Sequence, residues 1–365
     1  MSILKKTAVA LTAVMVSATL FGCGDTSYIL KADDDKVGAG VYLYYASTEL
    51  GNQITTLQYS GVTEDFLDQK IGDDTLSEYV EEVAMKSLKE HVATNAKFDE
   101  LGLELSEADE KEISSIVNES WNTSKIIYEA QGIGKESFRE VITTSKKDAM
   151  IFDYFYSKEG VEAVSDEDII NYIEENYLRY KVLSFPKATT EEGEEDTSKA
   201  SFDKYLEKAK DVTFEDFDKL IEEYEKETAE ETEEATDTEV DTDAEETEKD
   251  PYVNEQLSNY AQVDEEAEDT FSVVLKELKG MENGAVSSYE DEYAYYIYIK
   301  GAITGRSKEY TEEDNRLTTL QEMKGEEFQG KVDEWVKALK VDINDKAIDR
   351  YSVETILEKM ENASK

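Results

Sequence analysis

Apolar residues return every three or four positions over most of this chain, the spacing that gathers them on one side of an α-helix. Between Gly38 and Gly61, Val41, Tyr44, Tyr45, Thr48 and Leu57 fall on such a stripe and predict a first helix. A second opens at Thr75-Leu76-Ser77-Glu78 and carries Tyr79, Val80, Val83, Leu88 and Val92. Ser106 with Asp109 reads as a capping box ahead of Ile113, Ile116, Val117, Trp121 and Ile126. In such a box the hydroxyl accepts a free first-turn N–H and the acidic side chain returns the bond. Further stripes run from about Lys135 to Ser157, through Phe138, Val141, Ile142, Met150, Ile151, Tyr154 and Phe155. Another runs from Ser165 and Asp168 through Ile169, Ile170, Ile173 and Tyr177. Stripes of this kind make core, and no ligand is read from them.

The period then changes. Leu178 to Phe185 (LRYKVLSF) is rich in β-formers and stops at Pro186, which predicts a strand. Helices follow at Phe202 to Ala209 and behind Thr213 and Asp216, with Phe214, Phe217, Leu220, Ile221 and Tyr224. From Glu222 to Asp250 large apolar side chains almost vanish, so burial cannot offset chain entropy and a disordered acidic insert is predicted. Phe271, Val274, Leu275 and Leu278 restore a helix, Gly280 and Gly284 mark a loop, and Ala294 to Ile299 (AYYIYI) reads as a strand. Thr311 to Leu339 is helical, with Leu317, Leu320, Met323, Phe328, Val332 and Trp335 on its apolar side, and Val341 to Asn344 looks extended.

Charge narrows the function classes. Against 87 acidic residues stand 39 basic ones, for a net charge of -48, which excludes a nucleic-acid reader built on a basic surface. One Cys cannot close an internal disulfide, and one His cannot supply a histidine-rich zinc site or a two-histidine active centre. The chain has no GxSxG elbow, P-loop, HExxH or CxxC. Asp237 to Glu245 (DTEVDTDAE) suggests calcium, but Thr242 stands where a calcium loop needs Gly for its tight turn. No metal and no cofactor are expected. His91, in SLKEHVATNAKF, is read as a surface or cap residue.

The first residues form an address. Lys5 and Lys6 precede an apolar run from Thr7 to Phe21 that ends at Gly22-Cys23. That is a signal-peptide layout, with a run short of the ~20 residues a spanning helix needs. Leu20-Phe21-Gly22-Cys23 resembles a bacterial lipobox, which implies cleavage before Cys23 and a diacylglyceryl group on its thiol. An acidic chain is repelled by anionic lipid, so the acyl chains alone would hold it.

Lipobox, helical N-terminal region, strand-helix-helix-strand module and returning C-terminal helix together resemble the PrsA-type foldase lipoproteins and related SurA-like chaperones, over nearly the whole chain. LRYKVLSF and FSVVLKELKGMENGAVSSYEDEYAYYIYIKG are similar to the first strand and the closing helix-loop-strand of a parvulin-type peptidyl-prolyl isomerase, and VDINDKAIDRY to the family's ending. The implied fold class is α+β and predominantly helical, a helical N-terminal chaperone region completed by the C-terminal helix, with a small parvulin-like mixed α/β module inserted. The implied organisation is a signal peptide over 1–22, a tether over 23–37 and a helical chaperone domain over 38–177. A degenerate parvulin-like domain follows over 178–305, with its disordered acidic insert at about 222–268, and a C-terminal helix over 306–365 packs back on the chaperone domain.

Active parvulins carry a His on the first strand and another on the last; the matching positions here are Lys181 and Tyr296, so the site is degenerate. The resemblance implies unfolded or secreted protein clients, a membrane partner through the lipid anchor, no nucleic acid and room for a dimer, at the extracytoplasmic face of a bacterial membrane. Tyr44, Tyr45, Trp121, Tyr154, Phe155 and Trp335 are the client-binding candidates, since aromatic rings offer apolar area at small entropic cost. Two alternatives stand beside the chaperone: an active parvulin-type isomerase, and a solute-binding lipoprotein, which needs more strand-helix alternation than this chain offers.

Overall fold

The computed structural model describes residues 27–32, 35–187, 197–233, 252, 254–264 and 266–363. The elements begin with β1 (Tyr28–Ala32), β2 (Asp35–Gly38), α1 (Ala39–Tyr59), β3 (Lys70–Ile71), β4 (Asp74–Thr75), α2 (Leu76–Glu100), α3 (Glu107–Gln131) and α4 (Lys135–Tyr156). Then come α5 (Asp166–Asn176), β5 (Tyr177–Pro186), α6 (Thr197–Ala209), α7 (Phe217–Glu233), β6 (Glu255–Asn259), α8 (Thr270–Gly280), β7 (Val286–Glu290) and β8 (Ala294–Gly301). The chain ends with α9 (Glu313–Ala338), β9 (Val341–Ile343), α10 (Asp345–Arg350) and α11 (Val353–Ala363). Helices dominate and the sheets are small, an α+β fold of the predominantly helical kind. It divides into two compact units, Met1–Phe155 with Glu326–Lys365 and Tyr156–Gly325.

In the first unit, α2 and α3 both start on capping boxes. Thr75 Oγ1 accepts from Glu78 N at 3.3 Å while Glu78 Oε2 accepts from Thr75 N at 2.9 Å. Ser106 and Asp109 exchange the same bonds at 3.2 and 2.9 Å. Each cap stabilises its helix by about 1 kcal/mol. Gly132, with φ of 91°, ends α3 in a left-handed conformation that favours glycine and lets α4 turn back. Tyr42, Leu43 and Leu50 of α1, Leu76, Val80 and Leu88 of α2, and Ile113 and Val117 of α3 form a dry core with Val353 and Ile356 of α11. The residues of α9 from Glu326 onward belong here, where Phe328 meets Phe152 of α4 edge-on at 5.3 Å and Gln329 Nε2 donates to Glu90 of α2 at 2.8 Å.

The tether expected over 23–37 is corrected where it is described. β1 lies between β2 and β9 in a three-stranded sheet, Leu30 stands opposite both Val37 and Ile343, and Ile29 and Leu30 are fully buried. Five residues are too short a run to declare a strand by themselves; pairing with β2 and with β9 at the far end of the chain makes one of them.

The second unit is built on a four-stranded antiparallel sheet in the order β6-β5-β8-β7. Alternate residues of β5 and β8 divide between its faces. Leu183, Phe185, Tyr295, Ile297 and Ile299 pack with Phe202 and Tyr205 of α6 and Phe217, Leu220 and Ile221 of α7. Leu178, Tyr180 and Tyr298 pack with Val274, Leu275 and Leu278 of α8 on the other face. The unit is wider than the 178–305 expected for the module. Arg316 of α9 donates to Asp166 Oδ1 and Val164 O, both at 2.5 Å, and the Glu322 carboxylate accepts from Tyr177 Oη and Asn259 Nδ2, each at 2.8 Å.

The disordered insert expected at about 222–268 is also corrected. Glu222 to Glu233 continue α7, and Glu255–Asn259 form β6, which pairs with β5 from Tyr177 to Lys181. The acidity that argued for a solvated coil is neutralised at Glu255, whose carboxylate lies 2.5 Å from Arg179 and 2.9 Å from Arg306. Residues 234–251, 253 and 265 lie outside the described residues, the acidic run Asp237 to Glu245 among them.

Candidate functional site

Lys181 and Tyr296 do not meet. Tyr296 stands in register with Ser184 and Lys181 with Ile299, and the two side chains leave the sheet on opposite faces. Lys181 is 2% exposed beneath α7, where its Nζ donates to Asp218 Oδ2 at 2.6 Å and Phe214 O at 3.1 Å. It is a paired core cation. A one-residue shift along a strand exchanges the faces, so the β5 side chains that share the face of Tyr296 are Tyr180, Val182 and Ser184.

On that face Tyr296 and Tyr298 commit their hydroxyls to carboxylates, while Tyr180 pairs with Ser258 at 3.0 Å. Tyr296 Oη donates to Asp291 at 3.1 Å, and Asp291 also accepts from Thr270 Oγ1 at 2.5 Å. Tyr298 Oη donates to Glu277 at 2.6 Å, and Ser287 donates to the other oxygen of the same group. Burial, followed by the adjacent carboxylate, pushes both phenols above their ordinary range. Such hydroxyls do not give up a proton readily.

His91 is corrected from surface to interior. It is 4% exposed on α2, with the Tyr45 hydroxyl 3.1 Å from Nδ1, and with Thr144 Oγ1 and Glu140 Oε1 each 3.4 Å from Nε2. It separates two cavities of the first unit. One, of about 600 Å³, runs between β2, α2 and α4, and the other, of about 280 Å³, reaches Tyr45, Asp148, Phe328 and Val332. Burial, and then the charge of Glu90, raises the pKa of Asp148, while a hydrogen bond from Thr94 acts the other way.

The client-binding candidates divide. Trp121, 7% exposed, stacks on Tyr128 at 5.8 Å inside the core, and Tyr44 leans on Phe138 at 5.7 Å. These two hold the helices together, so Trp121 is corrected from the surface to the interior. Tyr45 lines the smaller cavity. Tyr154, Phe155 and Trp335 come together as a half-exposed aromatic shelf made by α4 and α9. Phe155 stacks on Trp335 with centroids 6.4 Å apart, Tyr154 meets Phe155 edge-on at 5.4 Å, and Phe328 meets Trp335 edge-on at 5.9 Å. Lys97 Nζ lies 5.3 Å from the indole and Lys331 Nζ 4.9 Å from the Phe155 ring. Sequence reasoning missed these two cations and the supporting part of Phe328, although Phe328 and Trp335 are seven residues apart and share a helix face.

Cys23 and the lipobox lie outside the described residues. Among the described residues no helix is long and apolar enough to cross a membrane. No protein-family model and no curated protein matches the chain. Among solved structures it is similar to foldase protein PrsA from Lactococcus lactis, at 14% identity over 90% of this chain and 99% of that one, with a TM-score of 0.33. It is also similar to PrsA from Streptococcus pneumoniae, at 12% identity over 93% and 94% with a TM-score of 0.29. For PrsA from Bacillus subtilis the figures are 17% over 81% and 91%, with a TM-score of 0.23. At these values, activity and residue roles rest on this chain's own side chains.

Proposed function

We propose that the protein is a membrane-tethered chaperone of the foldase class, which holds unfolded secreted polypeptides at the extracytoplasmic face of a bacterial membrane through lipid on Cys23. The observation that carries this reading is the shelf of Tyr154, Phe155 and Trp335, half-exposed on helices whose other faces are core. Apolar and aromatic side chains of an unfinished chain bury area against such rings, and the ring faces also attract cations. Lys97 lies over the Trp335 ring and Lys331 over the Phe155 ring, so the shelf presents aromatic area bordered by two cations. The net charge of -48 keeps a loaded chaperone soluble and draws basic clients. At ~0.8 kcal/mol per buried methylene, two or more acyl chains on one residue give a stable anchor where a single chain is marginal.

Suppression of aggregation of a lysine-rich client, measured across salt concentrations, tests the holding function. The native protein suppresses at low salt and less at high salt, and the Phe155→Ala/Trp335→Ala double variant suppresses poorly at both. Equal turbidity with and without the native protein at low salt removes the reading. Mass spectrometry of membrane-extracted material tests the anchor: an unmodified Cys23 thiol removes it.

A further inference from the structure

The larger cavity has a property that the aromatic shelf lacks. β2 is the outer strand of its sheet, with β1 on one side and no strand among the described residues on the other. In an antiparallel pair, alternate residues turn their N–H and C=O groups away from the partner, so an outer strand offers a row of backbone groups to an incoming chain. The cavity of about 600 Å³ touches Asp35 and Val37, which share one face of the sheet with Ala32 and Leu30, and Lys36, which lies on the other. Lining drawn from both faces of a single strand is the arrangement expected of a groove along its outer edge. Its opposite wall is the facing sides of α2 and α4.

We propose that an extended client segment bearing lysine or arginine docks along Asp35–Gly38 as an added strand and fills this cavity. Charge selects that occupant. Arg139 is turned to Glu110 and Ser114 at 2.7 and 3.0 Å, and Lys147 to Asn95 at 2.7 Å, so the two basic groups that α4 brings to this cavity are engaged by the protein itself. Lys36 lies 5.0 Å from the Tyr28 ring. Asp35, Asp99 and Glu136 line the same cavity and form no ion pair among the described residues, and Glu140 reaches only the His91 ring at 3.4 Å. An acidic client segment would meet these carboxylates as like charges. A basic one neutralises them, while the backbone groups of β2 give affinity that does not depend on sequence, the division of labour found in strand addition.

The inference rests on the reading that the protein holds unfolded chains, but its test needs no aggregating client. The full-length protein is titrated by fluorescence anisotropy with a short labelled peptide that alternates lysine and valine. The same peptide is also used N-methylated at alternate residues, and with glutamate replacing lysine. Both modified peptides bind about tenfold more weakly or worse, a loss equal to one or two net backbone hydrogen bonds or one charge pair. The Glu136→Gln/Glu140→Gln double variant weakens the lysine peptide several-fold and flattens its salt dependence. Hydrogen exchange shows new protection at 35–38 when the lysine peptide is bound. Equal affinity for the N-methylated peptide, or tight binding without protection at 35–38, overturns the proposal. A failed holdase assay leaves the titration standing, and a failed titration leaves the aromatic shelf standing.

Discussion

The ring of Phe155 lies nearly parallel to the indole of Trp335, with centroids 6.4 Å and planes 23° apart. The chain has two tryptophans, and the other, Trp121, is 7% exposed in the core. A Trp121→Phe variant therefore isolates Trp335 as a reporter. On adding an unfolded client its emission moves to shorter wavelength as the indole loses water. Phe155→Ala in that background weakens client binding about fivefold, the size of one aromatic pair. An emission maximum unmoved by saturating client excludes the shelf as the contact surface.

Tyr296 and its face predict the outcome of an isomerase assay. Rotation about an X–Pro bond has a barrier of about 18–20 kcal/mol, and lowering it needs a shaped apolar pocket for the ring. Here the corresponding floor carries Val182 and tyrosines bonded to Asp291 and Glu277. In a protease-coupled assay on a proline peptide the rate stays at the uncatalysed value. A rate that rises in proportion to protein concentration restores the isomerase alternative.

Glu255 holds β6 to the sheet. Its side chain is 5% exposed between Arg179 and Arg306. Burial raises its pKa, but the bonds and charges of Arg179, then Arg306, outweigh that and hold it below the usual glutamate value. Glu255→Gln leaves Arg179 without its carboxylate and Arg306 with Glu309 alone, and costs about 3 kcal/mol, read as a lower unfolding midpoint in urea. The triple replacement Arg179→Met, Glu255→Leu, Arg306→Met recovers most of that loss, since the charge that loses its partner, Glu309, is partly exposed to water. A triple variant weaker than the single one refutes this account.

Asp148 gives a pH dependence of opposite sign to the helix-start carboxylates Asp168 and Asp269. Its folded pKa is raised above the ordinary 3.8, chiefly by burial, so ionisation opposes folding. Its favourable contribution is complete below 3.8 and is lost as pH rises through the folded value. Asp168 and Asp269, lowered by bonds from Ser165 and Ser272 at their helix starts, contribute above 3.8 and lose that contribution as pH falls. Asp148→Asn is accordingly more stable than the native protein at pH 7, and the gain disappears at acid pH. Urea unfolding at the two pH values measures this; a gain of equal size at both removes burial of charge as the cause.

Much of this architecture is local and therefore legible in the chain. Thr75, Ser106 and Ser165 announce their helices, because each cap is made within four residues, and LRYKVLSF and AYYIYI show their strands through composition. Which face of β5 a side chain joins is a different matter. Alternation says that Lys181 and Val182 part company, but only pairing with β8 and the packing of α7 and α8 decide which one shares the sheet face with Tyr296. His91 reads as a surface or cap residue until α1 and α4 close over it with Tyr45 and Thr144. β1, short, and β6, short and polar, needed β9 and β5, partners remote in sequence, before they had reason to extend. Near neighbours set helix starts and periodicity; burial, register and the free edge of β2 arise only when distant segments compete for the same space.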